Sequence, residues 1–94
     1  VDDAEESEVF GFNTEISVEG MIFHVQTESS DDVKNPTINT LIYHKGFLMK
    51  KISTSYTDLF TSQDMTDRLK DRVKQQHFDA VDRVKNGEFL ARPG

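Results

Sequence analysis

The chain has 94 residues, the length of one domain, and only 35% of them are apolar, so any core is small and single. No apolar run approaches the roughly 18 residues of a membrane-crossing helix, and no basic, apolar leader opens the chain. Without cysteine there is no disulfide, thiolate nucleophile or zinc–sulfur site.

The net charge of −6 is mostly local. Five acids (Asp2, Asp3, Glu5, Glu6, Glu8) fall in the first eight residues, and the remaining 86 carry 12 acids and 11 bases. Neither part concentrates the basic charge that nucleic-acid backbones or anionic membranes require, so neither is expected as a partner. The absence of cysteine favours a cytoplasmic location, and Val1 in place of methionine is expected of a processed or excised piece. Residues 1–10 read as a disordered acidic tail, 11–90 as one α+β domain, and 91–94 as a loose C-terminus.

From Phe12 the residues Phe12, Thr14, Ile16 and Val18 alternate with Asn13, Glu15, Ser17 and Glu19. That is the two-residue period of a half-buried strand. Met21, Phe23, Val25 and Thr27 resume the alternation after Glu19-Gly20. A two-residue turn there pairs Val18 with Met21, Ile16 with Phe23, and Thr14 with Val25, all on one face. The other face then sets Glu15 across from His24 and Asn13 across from Gln26. Glu-Gly is a weaker turn signature than Asn-Gly, which leaves a loop one residue longer open.

A polar connector to Pro36 separates this hairpin from a second, Thr37 to His44 and Phe47 to Ser53 around Lys45-Gly46. Regular pairing matches His44 with Phe47, Tyr43 with Leu48 and Ile42 with Met49. It puts Ile38, Ile42, Phe47 and Met49 on one face and Leu41, Tyr43, Leu48 and Ile52 on the other. An antiparallel sheet with one wet face does not carry apolar residues on both. Leu41, Tyr43, Leu48 and Ile52 are therefore the candidate interaction face.

Ser55, with Asp58 three residues on, is a candidate cap for a short turn, and Thr61 or Ser62 for the main helix. From Asp64 to Lys85, Met65, Leu69, Val73, His77, Ala80, Val81 and Val84 recur at spacings of three and four, one buried helical stripe. Asp67–Lys70 and Asp79–Arg83 are its supportive pairs. Asn86-Gly87 is the stop, with Phe89 and Leu90 packing back. The architecture is α+β: a four-stranded antiparallel sheet of two hairpins packed against one long C-terminal helix.

The chemistry is sparse. His24, opposite Glu15 and flanked by Asn13, Gln26 and Glu28, is a candidate polar ligand face for a small ligand or divalent metal, or a plain cross-strand surface pair. His44 lies beside a turn without a partner in sequence, and His77 reads as a core-edge histidine. The pair Asp31-Asp32 lacks the alternating oxygen ligands of a calcium loop. The hydroxyls of Thr54, Ser55, Thr57, Thr61 and Ser62 have no neighbouring base and read as caps and turns. Phe12, Phe23, Tyr43 and Phe47 lack the interleaved arginines of an RNA platform and read as packing. No catalytic residue, metal ligand set or cofactor is expected.

Phe12-Asn13-Thr14-Glu15, then His24-Val25-Gln26-Thr27-Glu28, and later Thr54-Ser55-Tyr56 resemble the N-terminal portion of an uncharacterised family of bacterial proteins. The similarity spans most of residues 11–60. The family has no assigned activity, so the resemblance carries over no site residue. It implies a bacterial origin and a modular role, and it draws interest to Asn13, Glu15, His24, Gln26 and Glu28. The expected function is a small non-catalytic protein-interaction or self-assembly module, with a homodimer as its natural extension. The alternative is ligand or metal binding on the polar face of the first hairpin.

Overall fold

The computed structural model describes residues 10–30, 32 and 34–90. The acidic stretch 1–9, Asp31 of the acidic pair and the C-terminal 91–94 lie outside the described residues. Strands β1 (Gly11–Val18), β2 (Met21–Ser29), β3 (Thr37–His44) and β4 (Phe47–Ser55) form one antiparallel sheet in the order β1-β2-β3-β4. A short 3-10 helix (Thr57–Thr61) leads into the single long helix α1 (Met65–Lys85). The expected α+β architecture is the one observed.

Both hairpins close through two-residue turns with positive φ at both positions: Glu19 at 51° and Gly20 at 83°, Lys45 at 52° and Gly46 at 81°. This turn's twist matches that of the flanking strands, and the glycines adopt it without strain. In the first hairpin the pairs Val18–Met21, Ile16–Phe23, Thr14–Val25, Glu15–His24 and Asn13–Gln26 all form. Phe10, placed by the sequence pattern in the tail, is instead tied to β2: its N–H donates to Ser29 Oγ at 3.0 Å, and its carbonyl accepts from Ser29 N–H.

The second hairpin departs from regular pairing. Tyr43 faces Leu48 as expected, but Ile42 faces Lys50, leaving Met49 without an opposite residue. A bulge of one residue turns everything beyond it to the other face of the sheet. Ile52 is therefore opposite Thr40 rather than Asn39, on the side that α1 covers. Leu41, Tyr43 and Leu48 share the uncovered side; Ile52 does not join them.

The stripe along α1 buries Leu69, Val73, His77, Ala80, Val81 and Val84. Its start differs from the expectation: Asp64, not Thr61 or Ser62, is the N-cap residue, and its carboxylate accepts from Arg68 Nε at 2.7 Å. Ser55 does bond within its turn, accepting from Thr57 N–H at 3.3 Å, whereas Asp58 turns to Arg72. Arg83 pairs with Glu88 rather than Asp79, which accepts from Gln75. At the far end Gly87, at φ 84°, donates to Val84 O while Glu88 N–H donates to Arg83 O. These are the two bonds of a Schellman stop.

The core has two parts. Ile16, Phe23, Val25, Ile42, Ala80, Val81 and Val84 form one, with Phe89 and Leu90 packed on it. Ile38, Tyr56, Leu59, Leu69 and Val73 form the other, joined by Phe10 and Phe12. Along α1, Gln76 and His77 fall between the two. No helix among the described residues is long and apolar enough to cross a membrane.

Candidate functional site

The two candidate faces of the sequence prove to be halves of one surface. Antiparallel pairing across the sheet lines up Glu15, His24, Tyr43 and Leu48 in one row, and Asn13, Gln26, Leu41 and Lys51 in the next. Glu28 follows, between Gly11 and Asn39. The β1–β2 half is polar apart from Ile22, the β3–β4 half carries Leu41, Tyr43 and Leu48 beside Lys51, and α1 lies on the opposite side. Among the described residues the His24 imidazole does not engage Glu15 but bonds through Nε2 to Asn13 Oδ1, long at 3.4 Å. Among the described residues no three His, Asp or Glu side chains converge as a metal site would require. A cleft of about 320 Å³ between the two hairpin turns is lined by Glu15, Ile22, His24, Tyr43 and Lys45 among others.

The largest exposed apolar group is at the start of β4. Phe47 is 73% exposed, Leu48 52% and Met49 42%. Phe47 does lie on the helix side, opposite His44, yet α1 runs over β1 and β2 and leaves β4 largely bare. Every residue of β4 except Ile52 is exposed. The uncovered strip between α1 and β4 is a groove of about 420 Å³ with Ile52 and Ala80 in its lining and Arg72 and Arg83 among its residues. Both arginines are held in pairs. Arg72 donates to both oxygens of Asp58, at 2.9 and 3.1 Å, and this hydrogen bonding keeps the Asp58 carboxyl below its ordinary range. Arg83 does the same to Glu88.

Beneath the groove lies a polar belt that the sequence pattern did not reveal. It takes one threonine from each strand. Thr14 Oγ1 is 2.8 Å from His77 Nε2, and Thr27 Oγ1 is 2.9 Å from His77 Nδ1. Thr27 and Thr40 hydroxyls are 2.7 Å apart. Gln76 Nε2 donates to Thr40 Oγ1 and to the carbonyls of Ile38 and Ile52, and its Oε1 accepts from Thr54 at 2.5 Å. His77 is completely buried, deeper than a core-edge position, and its ring stacks on Phe12 at 5.5 Å.

One consistent direction runs through the chain: Gln76 donates to Thr40, Thr40 to Thr27, and Thr27 to His77 Nδ1, leaving Nε2–H to donate to Thr14. The neutral ring fits this belt, and burial holds the His77 pKa below its ordinary value. A signal for the belt was present in the chain: Thr14, Thr27 and Thr40 fall on a covered face, where a hydroxyl needs a partner. His44, by contrast, is tied locally, through Nδ1 to the Ile22 carbonyl at 3.0 Å and beside the Phe23 ring. No family model, curated protein or solved structure matches the chain.

Proposed function

We propose that this domain is a small, non-catalytic protein-interaction module whose contact surface runs from the open sheet face around β4. The carrying observation is the exposed triplet Phe47, Leu48 and Met49 on the bare edge strand: Leu48 lies on the open face beside Tyr43 and the half-buried Leu41, and Phe47 lies on the opposite face of the same strand. Contiguous apolar exposure of this kind marks interaction surfaces on small domains. Nothing in the belt supports catalysis: His77 is sealed from solvent, and its partners are hydroxyls already committed to holding α1. A cytoplasmic setting and the bacterial family suggested by the first hairpin belong to the same proposal.

Self-assembly is the form to test first. Sedimentation velocity from micromolar to submillimolar concentration is expected to show reversible dimerisation, abolished by Phe47→Ser with Leu48→Ser. A wild-type chain that stays monomeric throughout removes the homodimer and leaves only a foreign partner.

A second reading has an observation of its own, the cleft between the hairpin turns with Glu15, His24, Tyr43 and Lys45 around it. A small polar ligand there would shift the His24 ring resonances on titration. With too few convergent ligands for a metal, added zinc is expected to leave them unmoved.

A further inference from the structure

Resting on the interaction reading, we propose that the free edge of β4 receives an extended acidic segment of a partner protein as a fifth strand. Among the described residues the sheet has two free edges, and they are unlike. β1 is roofed by α1 on one face, with Thr14 and Ile16 drawn into the interior, and it carries Glu15 with Glu19 in its turn. β4 is largely bare, with only Ile52 half-buried against the helix side, and among the described residues it pairs on one side only, with β3. An edge strand presents unpaired N–H and C=O groups, the template for strand addition.

Charge selects the partner. Lys45, Lys50 and Lys51 lie on or beside β4, and no acid occurs from Lys45 to Thr57. Among the described residues none of the three lysines forms an ion pair within contact distance, although Lys50 lies near enough to Glu88 to help hold its carboxyl below the ordinary range. The bulge at Met49 turns Lys50 to the helix side, opposite Ile42, while Lys51 faces outward opposite Leu41. The two ammonium groups therefore straddle the edge, and Phe47 and Leu48 straddle it in the same way. A strand laid against β4 meets both faces at successive residues, so the fitting segment carries two adjacent acids close to two adjacent apolar residues. A second copy offering its own β4 would set lysine against lysine, which cross-strand pairing disfavours.

The test uses two peptides of the nine-residue length of β4. Both are otherwise built of threonine and valine; one has two adjacent glutamates beside two adjacent valines, the other lysines in place of the glutamates. Titrated into the labelled chain, the glutamate peptide is expected to shift the amides of β4 and the lysine peptide to leave them in place. Lys50→Glu with Lys51→Glu, both at exposed positions, should weaken the glutamate peptide about tenfold, as two exposed pairs are reversed. The same variant should gain the lysine peptide.

Binding indifferent to the exchange of charge, shifts that map away from β4, or no binding of either peptide at millimolar concentration overturns the proposal. So does end-to-end growth of the chain alone in light scattering, which would make β1 of a second copy the occupant. If the peptides fail while Phe47→Ser with Leu48→Ser still abolishes self-association, the interaction surface stands and the acidic strand falls. If both fail, both readings fall.

Discussion

Replacing His77 by leucine separates the two costs that the polar belt imposes on the fold. The side chain is fully buried and touches two hydroxyls, at 2.8 and 2.9 Å. Each hydrogen bond contributes about 1 kcal/mol net. Thr27 keeps Thr40 as a partner, and Thr14, only half-buried, regains water. Leucine also removes the desolvation of the ring, so the loss at pH 7.5 should be about 1–3 kcal/mol. The pH dependence is the sharper readout. Burial lowers the folded-state pKa of His77. The stability it brings is therefore fully present above the unfolded value of about 6.5 and is lost as pH falls from there toward the folded value. Asp58 and Glu88, lowered by Arg72 and Arg83, act only at more acid pH, since their stabilisation is lost below the ordinary carboxylate range. Urea melts at steps between pH 7.5 and 5 should show a falling midpoint at constant slope for the wild-type chain and a flat midpoint for His77→Leu. A flat wild-type profile, or a variant that keeps the slope, would refute a neutral buried imidazole.

Three further substitutions test the turns, the bulge and the cap. Glu19 holds a φ of 51° without being glycine or asparagine, so Glu19→Asn should raise stability by about 0.5–1 kcal/mol, seen as several degrees in the thermal midpoint. Deleting Met49 removes a residue with no opposite number and keeps every other pair of β4; the change should stay within about 1 kcal/mol. If Met49 instead sat inward opposite Ile42, the deletion would turn all later residues over and cost several times more. Gly87→Ala, at a φ of 84° in the helix stop, should lower stability by about 1 kcal/mol in the same melts.

What the chain disclosed follows from how strongly each pattern constrains its element. Apart from Ile22, the first hairpin carries its apolar side chains on one face, so a slip of one residue would bury Glu15 and Asn13, and the register is fixed. The stripe from Met65 to Val84 offers no second face to bury, so the body and C-terminal stop of α1 were legible, though its N-cap at Asp64 was not. The second hairpin is apolar on both sides, and either register of β4 buries something. Only the three-dimensional fit of Ile52 beside Thr40 decides it. His77 was legible as a member of the stripe but not as a hydrogen-bonded one, because its partners lie 63 and 50 residues away. The candidate site divided the same way: each half could be read from its own hairpin, but their union across Gln26–Leu41 and His24–Tyr43 is a fact of tertiary pairing.

The belt and the bare strand are connected. Gln76 and His77, adjacent on α1, bind hydroxyls from all four strands, and a polar contact of this kind fixes where the helix sits more narrowly than apolar packing does. With His77 held between Thr14 and Thr27, the axis of α1 is drawn toward β1 and β2. Among the described residues its hydrogen bonds to β4 come from the Gln76 amide, which bonds the Ile52 carbonyl and Thr54. Sliding the helix across to cover Phe47 would strip the imidazole of both partners. The exposure of β4 is therefore a consequence of how the core is registered, and a partner covering Phe47, Leu48 and the lysines would add burial where α1 cannot. In His77→Leu the register of α1 is loosened, the helix is free to move toward β4, and Phe47 should become less exposed. Solvent quenching or labelling at position 47 would detect the change, and unchanged exposure in a folded variant would show that packing alone sets the helix.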